Sequence, residues 1–292
     1  MNWKCQHDHD VLSELRHHFP DSSSTKLRKM LTEGRIQVNG EITHRAKHNL
    51  NVGDTITLLG RAEANTISPP PKKFQYQPKM NIMFEDDTLL VVEKPPSLLT
   101  VATDKLERET LHAYCVEYLQ ETSSLSWCHI VHRLDKDTSG IIVFSKSERA
   151  KKDLQEQFAK REVHRQYIAL VEGKPELMHG TVETYLVEDK HLNVKATNRN
   201  DPKGKQAITH YAVADSNEHA TLVDVTIETG RRHQIRMAMQ YLGHPVCGDE
   251  AHGSTLDPFG RICLHATALE FIHPQTDDPV RFESPFPKDW AL

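Results

Sequence analysis

The sequence predicts an α+β protein, a mainly antiparallel mixed-sheet domain preceded by a small α/β module. Three observations predict it. From Met80 onward strand-like runs dominate without a regular strand–helix alternation, which favours an antiparallel sheet over a doubly wound one. A stretch with three consecutive prolines, "AEANTISPPPKKFQYQPK" (62–79), has the composition of a semi-rigid linker. Ahead of it, one basic helix and several short strands fit within residues 21–61. The expected organisation is therefore an N-terminal extension (1–20), a small module (21–61), a linker (62–79) and a large domain (80–292).

Taken in order, the elements justify themselves locally. Ser22 to Ser24 offer helix caps, and Leu27, Met30 and Leu31 then share one face while Lys26, Arg28 and Lys29 stay exposed. Gly34 ends that helix. Ile36 and Val38 alternate before the tight-turn pair Asn39-Gly40, and Val52-Gly53-Asp54 turns the chain before Ile56 and Leu58. In the large domain "NIMF" and "TLLVVEK" read as strands, the second stopped by Pro95-Pro96. "RETLHAYCVEYLQ" reads as a helix through Leu111, Cys115, Tyr118 and Leu119. "HIVHRL" and "GIIVFSK" read as strands, followed by an amphipathic helix, "SERAKKDLQEQFAK", with Ser147 as its cap. "RQYIALVEG", "GTVETYLVE", "ITHYAVAD" and "ATLVDVTIE" continue the sheet. "RRHQIRMAMQYLG" closes the series as a helix with Ile235, Met239 and Leu242 on one face.

Composition narrows the class. Hydrophobic residues make up 37% of the 292, and no apolar run has the length of a membrane span. The opening "MNWKCQHDHD" lacks the pattern of a secretory signal, and the five cysteines are scattered without a CxxC pair. Reduced thiols in a cytoplasmic protein are expected. The net charge is −5, yet Asp21 to Lys73 carries nine Lys/Arg against five Asp/Glu, a local +4. A basic segment in an acidic chain marks either a nucleic-acid contact or a solvated face. Of the nineteen histidines, those in "HDHD" (His7 to Asp10) lack a second ligand pair at matching spacing, so no metal is assigned.

The densest chemistry is in "HRLDKDTSG", His132 to Gly140. If "IVHRLD" is extended, alternation puts Val131, Arg133 and Asp135 on one face, and Thr138-Ser139-Gly140 then turns the chain. An aspartate beside an arginine stays ionised, as a nucleophile or general base requires. A metal site using Asp135 and Asp137 lacks a third ligand at suggestive spacing. From this local pattern alone, a structural ion pair stands level with catalysis.

The nine residues closely resemble the signature of the RluA-type pseudouridine synthases. The likeness continues in order through "LLVVEKPPSLLT", "EVHRQYIALVEG", "ETGRRHQIRMAMQYLGHPVCGD" and "RICLHATALEFIHP". The resemblance implies an isomerase that cleaves the N-glycosidic bond of a uridine, turns the base and rejoins it through carbon, with no cofactor. By the same resemblance Asp135 is the catalytic carboxylate. Arg133 fills the space left by a flipped nucleotide. Tyr167 packs on the uracil and is a candidate for proton removal at its carbon, and Arg236 pairs with the catalytic aspartate. Arg231 and Arg232 are expected to receive phosphate, and His132 and His233 to be structural or RNA-facing. Two positions depart from the family pattern, Ser97 at a usual glycine and Ala238 at a common histidine.

The "LRKML…GRIQVNGE" segment resembles the S4-like RNA-binding domain. That likeness implies phosphate contacts from Lys26, Arg28, Lys29 and Arg35. RNA, and by analogy large-subunit ribosomal RNA, is the expected partner, with no membrane and no obligate protein partner. Alternative readings are an inactive RNA-binding or assembly protein on the same fold, a synthase acting on transfer RNA, and a metal-dependent hydrolase.

Overall fold

The structure is a computed structural model that describes residues 1–60, 63–64, 80–103, 107–189, 193–290 and 292. The expected linker, 62–79, lies outside the described residues apart from Glu63 and Ala64. The chain divides into two compact units, Met1–Gln77 with Ala102–Glu109, and Pro78–Val101 with Thr110–Leu292.

The first unit contains β1 (Asn2–Lys4), β2 (His9–Asp10), α1 (Val11–His18), α2 (Ser24–Thr32), β3 (Ile36–Val38), β4 (Glu41–Ile42), β5 (Asn49–Leu50) and β6 (Thr55–Leu58). Its sheet runs β1-β6-β3-β4 and is antiparallel throughout, while β2 pairs with β5. Ser23 caps α2 by accepting from the Lys26 amide, and Gly34 follows the helix at a φ of 65°. Asn39 and Gly40 both take positive φ, 53° and 87°, as a tight turn with the twist of its flanking strands requires. One expectation is corrected here. Residues 1–20 are no extension, because Trp3 is in register with Ile56, and Cys5, Val11 and Leu15 share one buried core with Leu27, Leu31 and Ile36. A buried apolar stripe on α1 has no stable place outside such a core.

The second unit holds β7 (Asn81–Glu85), β8 (Leu89–Lys94), α3 (Leu111–Thr122), β9 (His129–Ile130), β10 (Ser139–Ser145) and α4 (Glu148–Lys160). It continues with β11 (His164–Glu172), β12 (His179–Glu188), β13 (Val194–Thr197), β14 (Lys205–Ser216), β15 (Ala220–Ile227), α5 (Gln234–Tyr241), β16 (Leu264–Ile272) and β17 (Pro279–Glu283). The path through its eleven-stranded sheet is β13-β12-β14-β15-β11-β16-β10-β8-β7, with β17 on β16 and β9 on β10. Of the described pairings in it, β10 with β16 is parallel and the others are antiparallel. The mainly antiparallel α+β class is thus observed. Leu154 on α4 packs among Leu89, Val91, Ile141, Val143, Leu269 and Phe271, and Ser147 caps that helix through the Ala150 amide.

Two local readings need correction. "HIVHRL" is a strand only at His129–Ile130, and residues 131–138 form an irregular segment. The chain also turns at Lys136-Asp137, so that Ser139 and Gly140 already belong to β10. Gly140 has a φ of 108°, and a Cβ there would sit 2.2 Å from the Ala266 carbonyl oxygen across the parallel pair. Gly140→Ala is therefore expected to cost about 3 kcal/mol or more, read by denaturant unfolding.

Candidate active site

A cleft of about 640 Å³ opens in the second unit where the irregular segment, the start of β11 and the start of α5 meet. Six arginines line it (Arg133, Arg161, Arg165, Arg231, Arg232, Arg236) against three carboxylates, Asp135, Glu188 and Glu228. A chain of net charge −5 therefore concentrates positive charge in one concavity, which suits a polyanionic ligand.

Asp135 is held in this cleft by its neighbours' backbone. The Thr100 hydroxyl accepts from the Leu134 amide at 3.2 Å and donates to the Leu134 carbonyl at 2.7 Å. On the other side, Lys94 donates to the carbonyls of Pro95, Leu98 and Lys136 at 2.7–2.9 Å. Asp135 is thus clamped one residue before and one after, while its own carboxylate accepts no protein hydrogen bond among the described residues. A carboxylate left with its lone pairs open, on a fixed backbone, is available to a ligand. Lys94 is completely buried. Burial pulls its ammonium down to about 7 against the opposing charges of Asp137 and Asp135. Sequence reading missed this lysine, although a lysine ending a strand of apolar residues is a detectable anomaly.

Tyr167 arrives from the neighbouring strands. It is in register with Ala266, the residue opposite Gly140, and the register shifts between Gln166 and Tyr167. A bulge at this point re-aims the side chains that follow it. Burial, with the Asp135 charge adding and Arg165 opposing, raises the phenol above its ordinary value, so it is neutral at physiological pH. Arg165, also missed from sequence, is buried beneath the cleft, stacks over Phe158 at 5.4 Å and donates to the Glu228 carbonyl at 3.0 Å.

Arg236 corrects the sequence reading. It lines the cleft, but its guanidinium is paired with Asp249, not with Asp135. Nε donates to Oδ2 at 2.6 Å and Nη2 to Oδ1 at 2.7 Å, with His252 alongside. Burial alone would raise the Asp249 carboxyl, but the bonds from Arg236 and His252 hold it at about 2. The physical reason is direct: the fork-shaped guanidinium is satisfied by a buried bidentate partner at the end of the same helix–turn segment. Asp249, 13 residues away in sequence, closes the quoted segment "ETGRRHQIRMAMQYLGHPVCGD" but was given no role from sequence.

The other expected site residues divide. Arg133 is exposed at the cleft and has no hydrogen-bond partner among the described residues. Arg231 and Arg232 precede α5, whose first residue is Gln234. The first is exposed and donates through Nε to the Gln206 carbonyl, a neutral partner that leaves its charge in place, while the second lies 4.0 Å from Glu188. Asp137 lines a separate cleft of about 300 Å³ and accepts from the Ser97 hydroxyl, so the Asp135/Asp137 metal pair does not converge. Ser97 takes a φ of 60°, the region a glycine adopts without strain. In the first unit Lys26 and Lys29 are exposed and Arg28 half-buried. Arg35 is turned inward, donating to the Leu59 carbonyl at 3.1 Å beside Glu33, which removes it from the expected phosphate contacts.

Three histidines around the site, His265 buried and His132 and His233 half-buried, are held uncharged. His132, stacked on Phe158, accepts from the Val143 amide, and burial with the Arg165 charge lowers it to about 3. Burial lowers His233 and His265 to about 4, in each case against a nearby carboxylate, Asp135 or Glu93. Since these folded-state values lie below the ordinary 6.5, their stabilising contribution is complete above pH 6.5 and is lost as pH falls through about 4. Unfolding near pH 5 is expected to take up about three protons from these groups. A His265→Gln variant is expected to show a stability–pH slope shallower by about one proton, measured by denaturant unfolding.

The comparisons with known proteins agree with this architecture. The RNA pseudouridylate synthase family matches residues 88–241. A Bacillus subtilis protein named uncharacterized RNA pseudouridine synthase YjbO is 34% identical over 260 residues, covering 88% of this chain and 89% of its own. Ribosomal large subunit pseudouridine synthase D of Vibrio cholerae is 33% identical over 291 residues, covering 93% and 86% respectively. Human RNA pseudouridylate synthase domain containing 4 shares the fold with a TM-score of 0.61 at 21% identity, over 72% of this chain and 90% of that one. The chain belongs to the RNA pseudouridylate synthase family and is an isomerase acting on RNA. No described helix is long and apolar enough to cross a membrane.

Proposed function

We propose that this protein converts uridine to pseudouridine in large-subunit ribosomal RNA, with Asp135 as the catalytic carboxylate. The observation that carries the reading is Asp135 itself, its neighbours' backbone clamped by Thr100 and Lys94 and its carboxylate oxygens unengaged among the described residues, in an arginine-lined cleft. The reaction breaks the bond from ribose C1′ to uracil N1 and forms one from C1′ to C5. The base loses a proton at C5 and gains one at N1, so atoms balance without a redox partner. A carboxylate at C1′ either forms an adduct or stabilises charge developing on the ribose. The neutral phenol of Tyr167 supplies a planar platform for the uracil. The base must leave its stack to reach the cleft, and Arg133, exposed and without a hydrogen-bond partner among the described residues, is the group we assign to fill the gap.

The ribosomal target rests on relatives such as the Vibrio cholerae enzyme, whose name specifies the large subunit. Purified protein is expected to release tritium from C5-labelled large-subunit RNA lacking the modification and not from transfer RNA transcripts. Turnover confined to transfer RNA would move the substrate.

We also read the first unit as an S4-like RNA-binding module, supported by the exposed Lys26 and Lys29 on α2. Lys26→Glu with Lys29→Glu is expected to make log Kd against log salt shallower by about 1.5. An unchanged slope would mark that helix as an ordinary solvated face.

A further inference from the structure

In the first unit a strand end, a second strand and a helix bring together three side chains of metal-ligating type: Cys5, His9 and Glu14. Cys5 follows β1, His9 lies in β2 and Glu14 in the first turns of α1. We propose that these three residues form a metal site for a zinc-type cation in the N-terminal unit, a role separate from RNA isomerisation.

The donor atoms are spaced for it. Cys5 Sγ lies 3.6 Å from His9 Nε2 and 3.6 Å from Glu14 Oε2. In a tetrahedral zinc site, bonds of about 2.0–2.3 Å place neighbouring ligand atoms about 3.5 Å apart. Two of the three edges already have that length. The third, His9 Nε2 to Glu14 Oε2, is 2.5 Å, the length of a shared proton. Replacing that proton by a cation opens this edge by about 1 Å. A thiolate, a carboxylate and a neutral imidazole together carry two negative charges, which neutralise a divalent cation. Mixed sulfur, nitrogen and oxygen donors favour zinc over magnesium or calcium, which take oxygen.

The surroundings are those of a built site. Cys5 and Glu14 are 2% and 4% exposed, so a carboxylate is held against a thiol inside an apolar core. The Trp3 indole donates to the other carboxylate oxygen, Oε1, at 2.6 Å, fixing which oxygen faces the thiol. Backbone bonds lock Cys5 on both sides, its amide donating to the Asp54 carbonyl and its carbonyl accepting from the Gly53 amide. His9 is held by pairing with Leu50. The His9 side chain is one-quarter exposed, which leaves the fourth vertex open to water. A cation here ties β1, β2 and α1 together, and its binding energy adds to the stability of the unit.

The test uses the full chain, reduced and stripped with a chelator, titrated with cobalt and then zinc. Cobalt is expected to give a sulfur-to-metal charge-transfer band, zinc to displace it at one equivalent, and zinc to raise the thermal midpoint. Cys5→Ser, a near-isosteric change, is expected to lose the band, weaken zinc at least about tenfold and abolish the thermal shift. A His17→Gln control, at an exposed histidine, is expected to keep all three. The proposal is overturned if no charge-transfer band forms. It is equally overturned if Cys5→Ser and His9→Gln bind zinc like the wild type, or if the control loses binding, since surface histidines would then be the ligands.

Discussion

Asp135→Asn is expected to lower the rate of pseudouridine formation by at least about a thousandfold while leaving the fold intact. The substitution keeps the shape of the side chain and removes only its charge. Stability is expected to stay within about 0.5 kcal/mol, because the carboxylate holds no structural bond among the described residues. The segment is fixed instead through Leu134 and Lys136, by Thr100 and Lys94. Single-turnover tritium release and a thermal melt on the same preparation read both halves. Activity retained within about tenfold would assign the chemistry to another group.

The second large effect is on stability. Arg236→Ala is expected to cost about 3–5 kcal/mol, because it leaves Asp249, 1% exposed, charged and unpaired. Asp249→Ala is expected to cost as much, for the mirror reason. The double variant Arg236→Met, Asp249→Leu is expected to recover most of the loss, since apolar residues of similar volume avoid the desolvation of both ions. Denaturant unfolding of the wild type, Arg236→Ala, Asp249→Ala and the variant combining both alanines gives the coupling directly. Had Arg236 served Asp135, Asp249→Ala would leave the stability contribution of Arg236 untouched.

The contrast between these two aspartates shows what was legible in the sequence. Asp135 lies in a dense local motif, which drew notice to it, and the family resemblance of that motif and its companions singled it out. Arg133 came with it in the same motif and Tyr167 through an ordered companion motif, and both line the same cleft. Strands that are near-continuous apolar runs, such as β8, β10 and β11, were also readable, as were the serine caps of α2 and α4. Pairings between distant residues were not. Arg236 found Asp249 because a turn after α5 returns the chain, and nothing in "RMAMQ" marks that return. The extended reading of "IVHRLD" failed because Thr100 bonds both the amide and the carbonyl of Leu134, and Lys94 the carbonyl of Lys136 just beyond, from outside any ladder. β13, β16 and β17 went unassigned, although β16 sits between β10 and β11 and carries the parallel pair. The N-terminal twenty residues looked like a tail because the partners of Cys5, Val11 and Leu15 come from α2, β3 and β6. The same long-range assembly hid the Cys5–His9–Glu14 cluster, since "HDHD" was searched for a second pair and its partners flank it singly.

Whether a clamped Asp135 in an arginine-lined cleft isomerises uridine in ribosomal RNA can be read in cells. The most direct measurement maps pseudouridine across total cellular RNA in cells carrying either the wild type or Asp135→Asn as their only copy. The account predicts that one or a few uridines of large-subunit ribosomal RNA lose the modification in the variant and that other RNAs are unchanged. Identical maps, together with no tritium release by the purified wild type on any of those RNAs, would contradict it and leave an RNA-binding protein on a synthase fold.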